Sequence, residues 1–361
     1  MEERRISYAR RVVRSLPALL IAAGAVYDHL TPTPYTGAPF FTAAPLGAAP
    51  LYSLRGTVLT GLVAIAALAV LRVPHGGLPL AEVITELATV ITVSVLAVLI
   101  NLLVRRSDAR LASARAIAEA AQRAVLPEPP ERIGGYQIAA RYEAAQEGAS
   151  IGGDLYAVQD SPHGIRLVVG DVRGKGMGAV GVVAVVIGTF REAAEQETTL
   201  EAVAQRLERA LTRERARREA VDAREGFTTA VLAELPHGEA LVRIVNRGHP
   251  SPLLLYADGT VRSLFAPEPA LPLGMAELGA WPDRAQEAEF PSRATLLLYT
   301  DGLSEARDEN GRFYDPEVRL AGRANAHREP AALLGALAAE VRRHSGGGMA
   351  DDMALLAVRR P

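Results

Sequence analysis

Four aspartate sites stand at the ends of apolar runs and beside glycine. Asp154 follows Gly152-Gly153, Asp171 ends LVVGD before the glycine-rich RGKGMG, and Asp301 ends ATLLLYTD before Gly302. The pair Asp351-Asp352 lies between GGGMA and MALLAV. Short apolar runs bounded in this way read as strands. A strand end holds a carboxylate rigidly, and Gly lets backbone, water or substrate come close. Converging carboxylates repel one another unless a cation neutralises them. Oxygen ligands without Cys or His suit Mg²⁺ or Mn²⁺. Two such ions sharing a carboxylate can activate a water and hold a phosphoryl oxygen. A single Asp-Gly is a common turn, and Asp258-Gly259 in LLLYADGTV reads as a hairpin turn of that kind. The signal is the four sites together.

The rest of the composition narrows the class. The chain has 361 residues, enough for two domains, with 49% apolar and 22% charged residues. That excludes intrinsic disorder. With no cysteine, disulfides, thiolate zinc sites and cysteine nucleophiles are excluded. No GxxxxGK[ST] or HExxH occurs. A net charge of −2 gives no case for nucleic-acid binding. Of 39 basic residues only Lys175 is a lysine, so the arginine richness reads as codon bias and not as a set of binding patches.

Charge divides the chain. Residues 1–106 carry 9 basic and 5 acidic residues, and residues 107–361 carry 30 and 36. The first part is also the more apolar. Residues 56–71 are uncharged between Arg55 and Arg72, and 83–104 hold only Glu86 before Arg105-Arg106. A bilayer core needs about 20 apolar helical residues, so both read as membrane spans. Two weaker segments, 12–30 and 35–54, precede them, the second with Pro39, Pro45 and Pro50. Arg4, Arg5, Arg10, Arg11 and Arg14 flank the start and Arg105, Arg106 and Arg110 the end. Cytoplasmic flanks are enriched in such residues. Both ends are therefore expected in the cytoplasm, with an even number of spans, four or two. Glu82 and Glu86 read as an interfacial pair facing water. The expected organisation is a transmembrane segment of four helices at 1–104, a linker helix at 105–128 and a soluble domain at 129–361.

The linker RRSDARLASARAIAEAAQRAVL lacks Gly and Pro and places Leu111, Ala114, Ala118, Ala121 and Val125 on one stripe. It is either a dimerising transmitter or a spacer. Beyond it YQIAARYE, GIRLVVGDV, FTTAVLAEL, LVRIVNRG, ATLLLYTDG and DMALLAVR read as strands, interrupted by helices at about 178–195, 198–219 and 331–344. That order is mixed α+β.

Residues 131–361 resemble the SpoIIE/RsbU branch of the bacterial metal-dependent (PPM-type) serine/threonine protein phosphatases. The matching blocks are AVLPEPPERIGGYQIAARYEAA, IGGDLYAV, VVGDVRGKGMGAV, FTTAVLAEL, VNRGHPSPLLL, LPLGM, LLLYTDGLSEARD and DDMALLAV, in the family's order. The resemblance implies an α-β-β-α sandwich of two mostly antiparallel sheets flanked by helices, with two Mn²⁺ or Mg²⁺ at one end. It carries the metal-binding role to Asp154, Asp171, Asp301 and Asp351, with Val172 lending its backbone carbonyl and Asp352 a further candidate. The family often has His where Lys175 stands. Lys175 is then either a point charge for the substrate phosphate or a solvated lysine. The family often reads NAGHP where this chain has Asn246-Arg247-Gly248-His249-Pro250. His249 is either a proton donor to the leaving serine oxygen or a structural residue. Thr228 and Thr229 are expected to pack or bond locally. The implied substrate is a phosphorylated anti-anti-sigma (STAS) protein, and a homodimer is expected. The localisation is the cell membrane, multi-pass, with the phosphatase domain cytoplasmic. The alternative is a non-catalytic receptor or scaffold, which loss of a metal ligand would mark; all four aspartates are present.

Overall fold

A computed structural model of the protein describes residues 2–32, 35–72, 80–126, 128–145, 152–174, 176–217, 227–268, 270–279, 283–322, 329–349 and 351–361. They divide into two units, Met1–Ala114 and Arg115–Pro361. Lys175 lies outside the described residues, as do the side chains of Leu111, Ala114, Ala118, Ala121 and Val125.

The first unit is helical: α1 (Glu2–Leu30), α2 (Ala38–Leu51), α3 (Leu54–Arg72) and α4 (Leu80–Val125), the last running on through the linker. By length and composition alone α3 and the Leu80–Arg110 part of α4 are apolar enough to cross a membrane. The 14 residues of α2 extend about 21 Å, short of a bilayer core of ~30 Å. Polar side chains join the helices at two levels. At one, Arg72 donates from Nε to Glu86 Oε2 at 2.9 Å and lies 3.3 Å from Asp28 Oδ1. The same Asp28 oxygen accepts the Gly37 N–H at 2.9 Å, which ties the entry of α2 to the end of α1. At the other level, Asn101 Nδ2 donates to Tyr52 O at 3.0 Å, to Ala49 O, and to Thr57 Oγ1 at 3.2 Å, while Arg105 Nε donates to Asn101 Oδ1 at 3.0 Å. Tyr52 OH closes that level on Arg14 O. Between the levels Leu19, Leu59, Leu62, Ile91, Leu96 and Leu99 face outward.

Glu86 therefore differs from its reading as a water-facing partner of Glu82. It is drawn to Arg72 across two helices, because a buried guanidinium needs carboxylates. Removing one member of such a cluster strands the others' charge. Arg72→Gln is expected to destabilise the helical unit by roughly 3 kcal/mol, read as earlier thermal loss of helix in detergent. An unchanged melt contradicts the pairing.

The second unit is an α+β sandwich. One sheet has the order β1 (Arg132–Ile133), β2 (Tyr136–Glu143), β11 (Met353–Arg359), β10 (Thr295–Tyr299), β7 (Leu253–Leu255), β8 (Val261–Ser263). The other runs β3 (Asp154–Ser161), β4 (Gly164–Val172), β5 (Thr228–Leu235), β6 (Leu241–Arg247), β9 (Gln286–Glu289). Every pairing among the described strands is antiparallel. Alternation along the strands sets the layers. Leu296, Leu298, Ala354, Leu356 and Val358 enter the core shared with Leu167, Val169, Val231 and Ile244. Leu297, Tyr299, Met353, Leu355 and Ala357 point the other way, into a second core with Leu333, Leu337 and Val341 of α9 (Pro330–His344). Helix α5 (Met177–Gln196), apolar enough to span a membrane by length and composition, instead buries Val183, Val186, Ile187 and Phe190 in the first core beside α6 (Leu200–Arg217). The end of the linker, Leu126, is buried there too. Asp258-Gly259 makes the expected turn between β7 and β8, with the Thr260 N–H donating to Asp258 Oδ1 at 2.8 Å.

Candidate metal centre

The first two carboxylates are placed by strand pairing. Asp154 opens β3, Asp171 nearly ends β4, and the register sets them directly opposite. Cross-strand partners share a face, about 5 Å apart at Cβ. The third comes from the other sheet: Asp301 follows β10 and begins the short helix α7 (Asp301–Ser304). Single oxygens of Asp154, Asp171 and Asp301 all lie within 4.8 Å of one another. The C-terminal pair splits. Asp351 is exposed at the margin, outside that close group, and its Oδ1 accepts the Asp352 N–H at 3.1 Å. Asp352 is buried and its Oδ1 accepts the Ala145 N–H at 2.6 Å. Side chains of neighbouring residues entering a strand point oppositely, so the two aspartates have different surroundings.

Glycine permits the close approaches. A Cβ on Gly153 would sit 2.0 Å from Val172 O and 2.8 Å from Asp171 Oδ1, and the Val172 N–H donates to Gly153 O at 3.0 Å. The Val172 carbonyl is thereby held beside the Asp171 carboxylate. A Cβ on Gly302 would sit 1.9 Å from Asp352 O, which is how the turn after β10 meets the start of β11.

Electrostatics describe a site short of positive charge. Burial, followed by the charge of Asp171, raises the Asp154 carboxyl well above the usual range. Asp171 is pushed up to about 6, first by burial and then by Asp301, Asp351 and Asp352. Asp301 is also raised, by burial and then by Glu305 and Asp351. Three clustered carboxylates and a neighbouring carbonyl form an all-oxygen donor set suited to a hard divalent cation.

His249 falls outside this set. It is buried, with Nδ1 2.9 Å from Thr229 Oγ1 and Nε2 3.1 Å from Tyr299 O. A carbonyl only accepts, so Nε2 carries the proton and Nδ1 accepts from Thr229. Both nitrogens are engaged inside the fold, and the ring braces β5 against β10. Thr229 bonds locally, as expected. Burial lowers the His249 pKa to about 3. The folded value is depressed, so its contribution to stability is present above about pH 6.5 and lost as pH falls towards 3. The stability gap between the wild type and His249→Gln should narrow by about 1.4 kcal/mol per unit below pH 6.5. A constant gap in denaturant unfolding contradicts this. Two neighbours of the site escaped the sequence reading, Thr300 and Glu305. Thr300 had a faint signal, a lone polar residue closing an apolar strand.

Residues 161–361 match the family model described as stage II sporulation protein E (SpoIIE). Among solved structures, the RsbU and RsbW domains of Rv1364c from Mycobacterium tuberculosis align at 27% identity and TM-score 0.52, covering 63% of this chain and 60% of that one. This chain thus spans about 60% of that protein's length. The SiaA-PP2C domain of Pseudomonas aeruginosa aligns at 19% identity and TM-score 0.56, over 71% of this chain and 99% of that one. The PP2C phosphatase domain with a regulatory fragment of SpoIIE from Bacillus subtilis aligns at 17% and 0.51, over 62% and 63%. These last two share the fold. With more than half of its length matched, the chain belongs to the SpoIIE family.

Proposed function

We propose that the protein is a membrane-anchored phosphatase that hydrolyses phosphoserine or phosphothreonine on a protein, in a site loaded with two Mn²⁺ or Mg²⁺. The observation that carries this is the convergence of Asp154, Asp171 and Asp301 from two sheets, oxygens within 4.8 Å, beside the Val172 carbonyl. Asp154, Asp171, Asp301, Val172 O and, from the margin, Asp351 would hold the ions. When bound, the cations supply an activated water and neutralise the phosphoryl oxygens. The chain's own residues supply rigidity. The β3–β4 register fixes two carboxylates, and the turn packed on Asp352 O fixes Asp301. Catalysis of this kind is mostly positioning and charge. Asp352, bonded to the Ala145 N–H, holds the chain leading toward Asp154.

The anchoring rests on the helical unit. From Arg14 to Asp28, Thr57 to Arg72 and Glu86 to Asn101 lie 14 or 15 residues, about 22 Å of helix. Helix α2 reaches from one polar level at Gly37 to the other at Ala49. Four helices thus traverse one apolar slab whose outer surface is rich in leucine, isoleucine and valine, which lipid and not water would cover. The arginine-rich flanks support a cytoplasmic location for both ends and for the phosphatase domain. The linker helix would join two copies as a dimer.

The substrate reading is a phosphorylated STAS protein, supported by the family resemblance and by the likeness to a chain holding RsbU and RsbW domains. Full-length protein in lipid nanodiscs should dephosphorylate a phosphoserine-bearing STAS protein with kcat/KM at least tenfold above that for an unrelated phosphoprotein. Equal values contradict the substrate assignment and leave the chemistry standing.

A further inference from the structure

Thr300 is fully buried between the end of β10 and Asp301. Its Oγ1 donates to Asp154 Oδ2 at 2.6 Å and accepts the Ala354 N–H at 2.8 Å. Its own N–H donates to Ala354 O at 3.0 Å. A threonine hydroxyl has one proton. The Ala354 carbonyl lies 3.4 Å from Oγ1, much farther than the carboxylate, so the proton goes to Asp154. Acceptance of the Ala354 N–H then fixes the oxygen from the opposite side. One side chain thereby joins three strand ends: β10, which leads into Asp301; β11, which follows Asp351-Asp352; and β3, which Asp154 opens. The first two belong to one sheet and the third to the other.

Asp154 needs such a restraint. It is buried among Asp171, Asp301 and Asp352, whose charges repel it. A carboxylate in that position turns away unless a donor holds it, and a backbone-anchored hydroxyl is a donor with no freedom to follow. Hydrogen bonds of this outer-shell kind orient metal ligands.

We propose that Thr300 is a positioning residue of the metal centre, whose hydroxyl locks Asp154 across the two sheets in the orientation that receives a divalent cation. This rests on the metal-centre reading above. The competing role is a purely structural one, filling the seam between the sheets.

The two roles separate in Mn²⁺ binding by the full-length chain, titrated calorimetrically in detergent, alongside melting of the metal-free protein. Thr300→Ser keeps the donor and should bind Mn²⁺ within a few-fold of the wild type. Thr300→Val keeps the shape without the donor and should weaken binding about 10- to 100-fold. Should the valine variant fail to fold, Thr300→Cys, a poor donor of similar size, should show the same loss. Unchanged Mn²⁺ affinity in the valine variant, or in the cysteine variant in its place, with only a lower melting point, overturns the proposal. A wild type that binds no Mn²⁺ overturns it together with the metal-centre reading, so the wild-type titration tells the two failures apart.

Discussion

Asp171→Asn should abolish metal-dependent phosphate release while leaving the metal-free fold intact or firmer. Asp171 faces Asp154 across the β3–β4 pair and lies within 4.8 Å of both other clustered carboxylates. The amide keeps the shape and one carbonyl oxygen but removes a full negative charge. Charge stabilisation by a bound cation is worth several kcal/mol in such reactions, on the order of 10³ in rate. The same substitution relieves repulsion. Burial and three neighbouring carboxylates disfavour the ionised Asp171, as its pKa of about 6 records. Metal-free Asp171→Asn should therefore melt no lower than the wild type, and the rise in melting temperature that Mn²⁺ gives the wild type should shrink or vanish. A variant with an undiminished rate would contradict the assignment of Asp171 as a ligand.

The second large effect is a pH dependence of metal binding. Ligand carboxylates must be deprotonated to bind. Asp171 holds its proton up to about pH 6 in the metal-free protein, and Asp154 is raised well beyond its ordinary value as well. Mn²⁺ affinity should thus fall about tenfold per pH unit for each proton displaced as pH drops below about 6. The metal-free protein should show the opposite trend. A carboxyl raised in the folded state stabilises fully below its unfolded pKa near 4, and that stability is lost as pH rises through 6. Melting without metal should fall across this window, and Mn²⁺ should restore it above pH 6. Calorimetric titration and thermal melting at pH 5, 6 and 7 read both limbs. A pH-independent Mn²⁺ affinity would show that the raised carboxyls do not hold the ion.

Much of the acidic cluster was legible because its carboxylates sit at strand ends. The runs LVVGD and LLLYTD are buried up to the terminal Asp, so that Asp beside Gly marks a carboxylate leaving a rigid strand. The three long helices that lie wholly within the second unit were also legible, from apolar spacing bounded by breakers. Strand β3 was harder, since DLYAVQDS turns polar toward its end, and the three-residue β7 and β8 give almost no period to read. Long-range pairing was not legible at all. Nothing in the spacing ties Arg72 to Asp28 and Glu86, because ion pairs between helices carry no local pattern. Thr300 reads as an ordinary residue before a turn until the Ala354 N–H and Asp154 are seen on either side of its hydroxyl. His249 had two readings from sequence, and no spacing shows that its ring meets the Tyr299 carbonyl and the Thr229 hydroxyl. Asp351 and Asp352 are adjacent in sequence, and only strand geometry separates the exposed carboxylate from the buried one.

This acidic cluster is expected to work as a metal-dependent phosphatase centre. The most direct measurement is phosphate release from a phosphoserine protein by the full-length chain in lipid nanodiscs, stripped with EDTA and then titrated with Mn²⁺. No release is expected after stripping, and recovery should saturate with added Mn²⁺. Release that persists undiminished in EDTA, or that never appears at any Mn²⁺ concentration with a phosphorylated STAS protein as substrate, would contradict it.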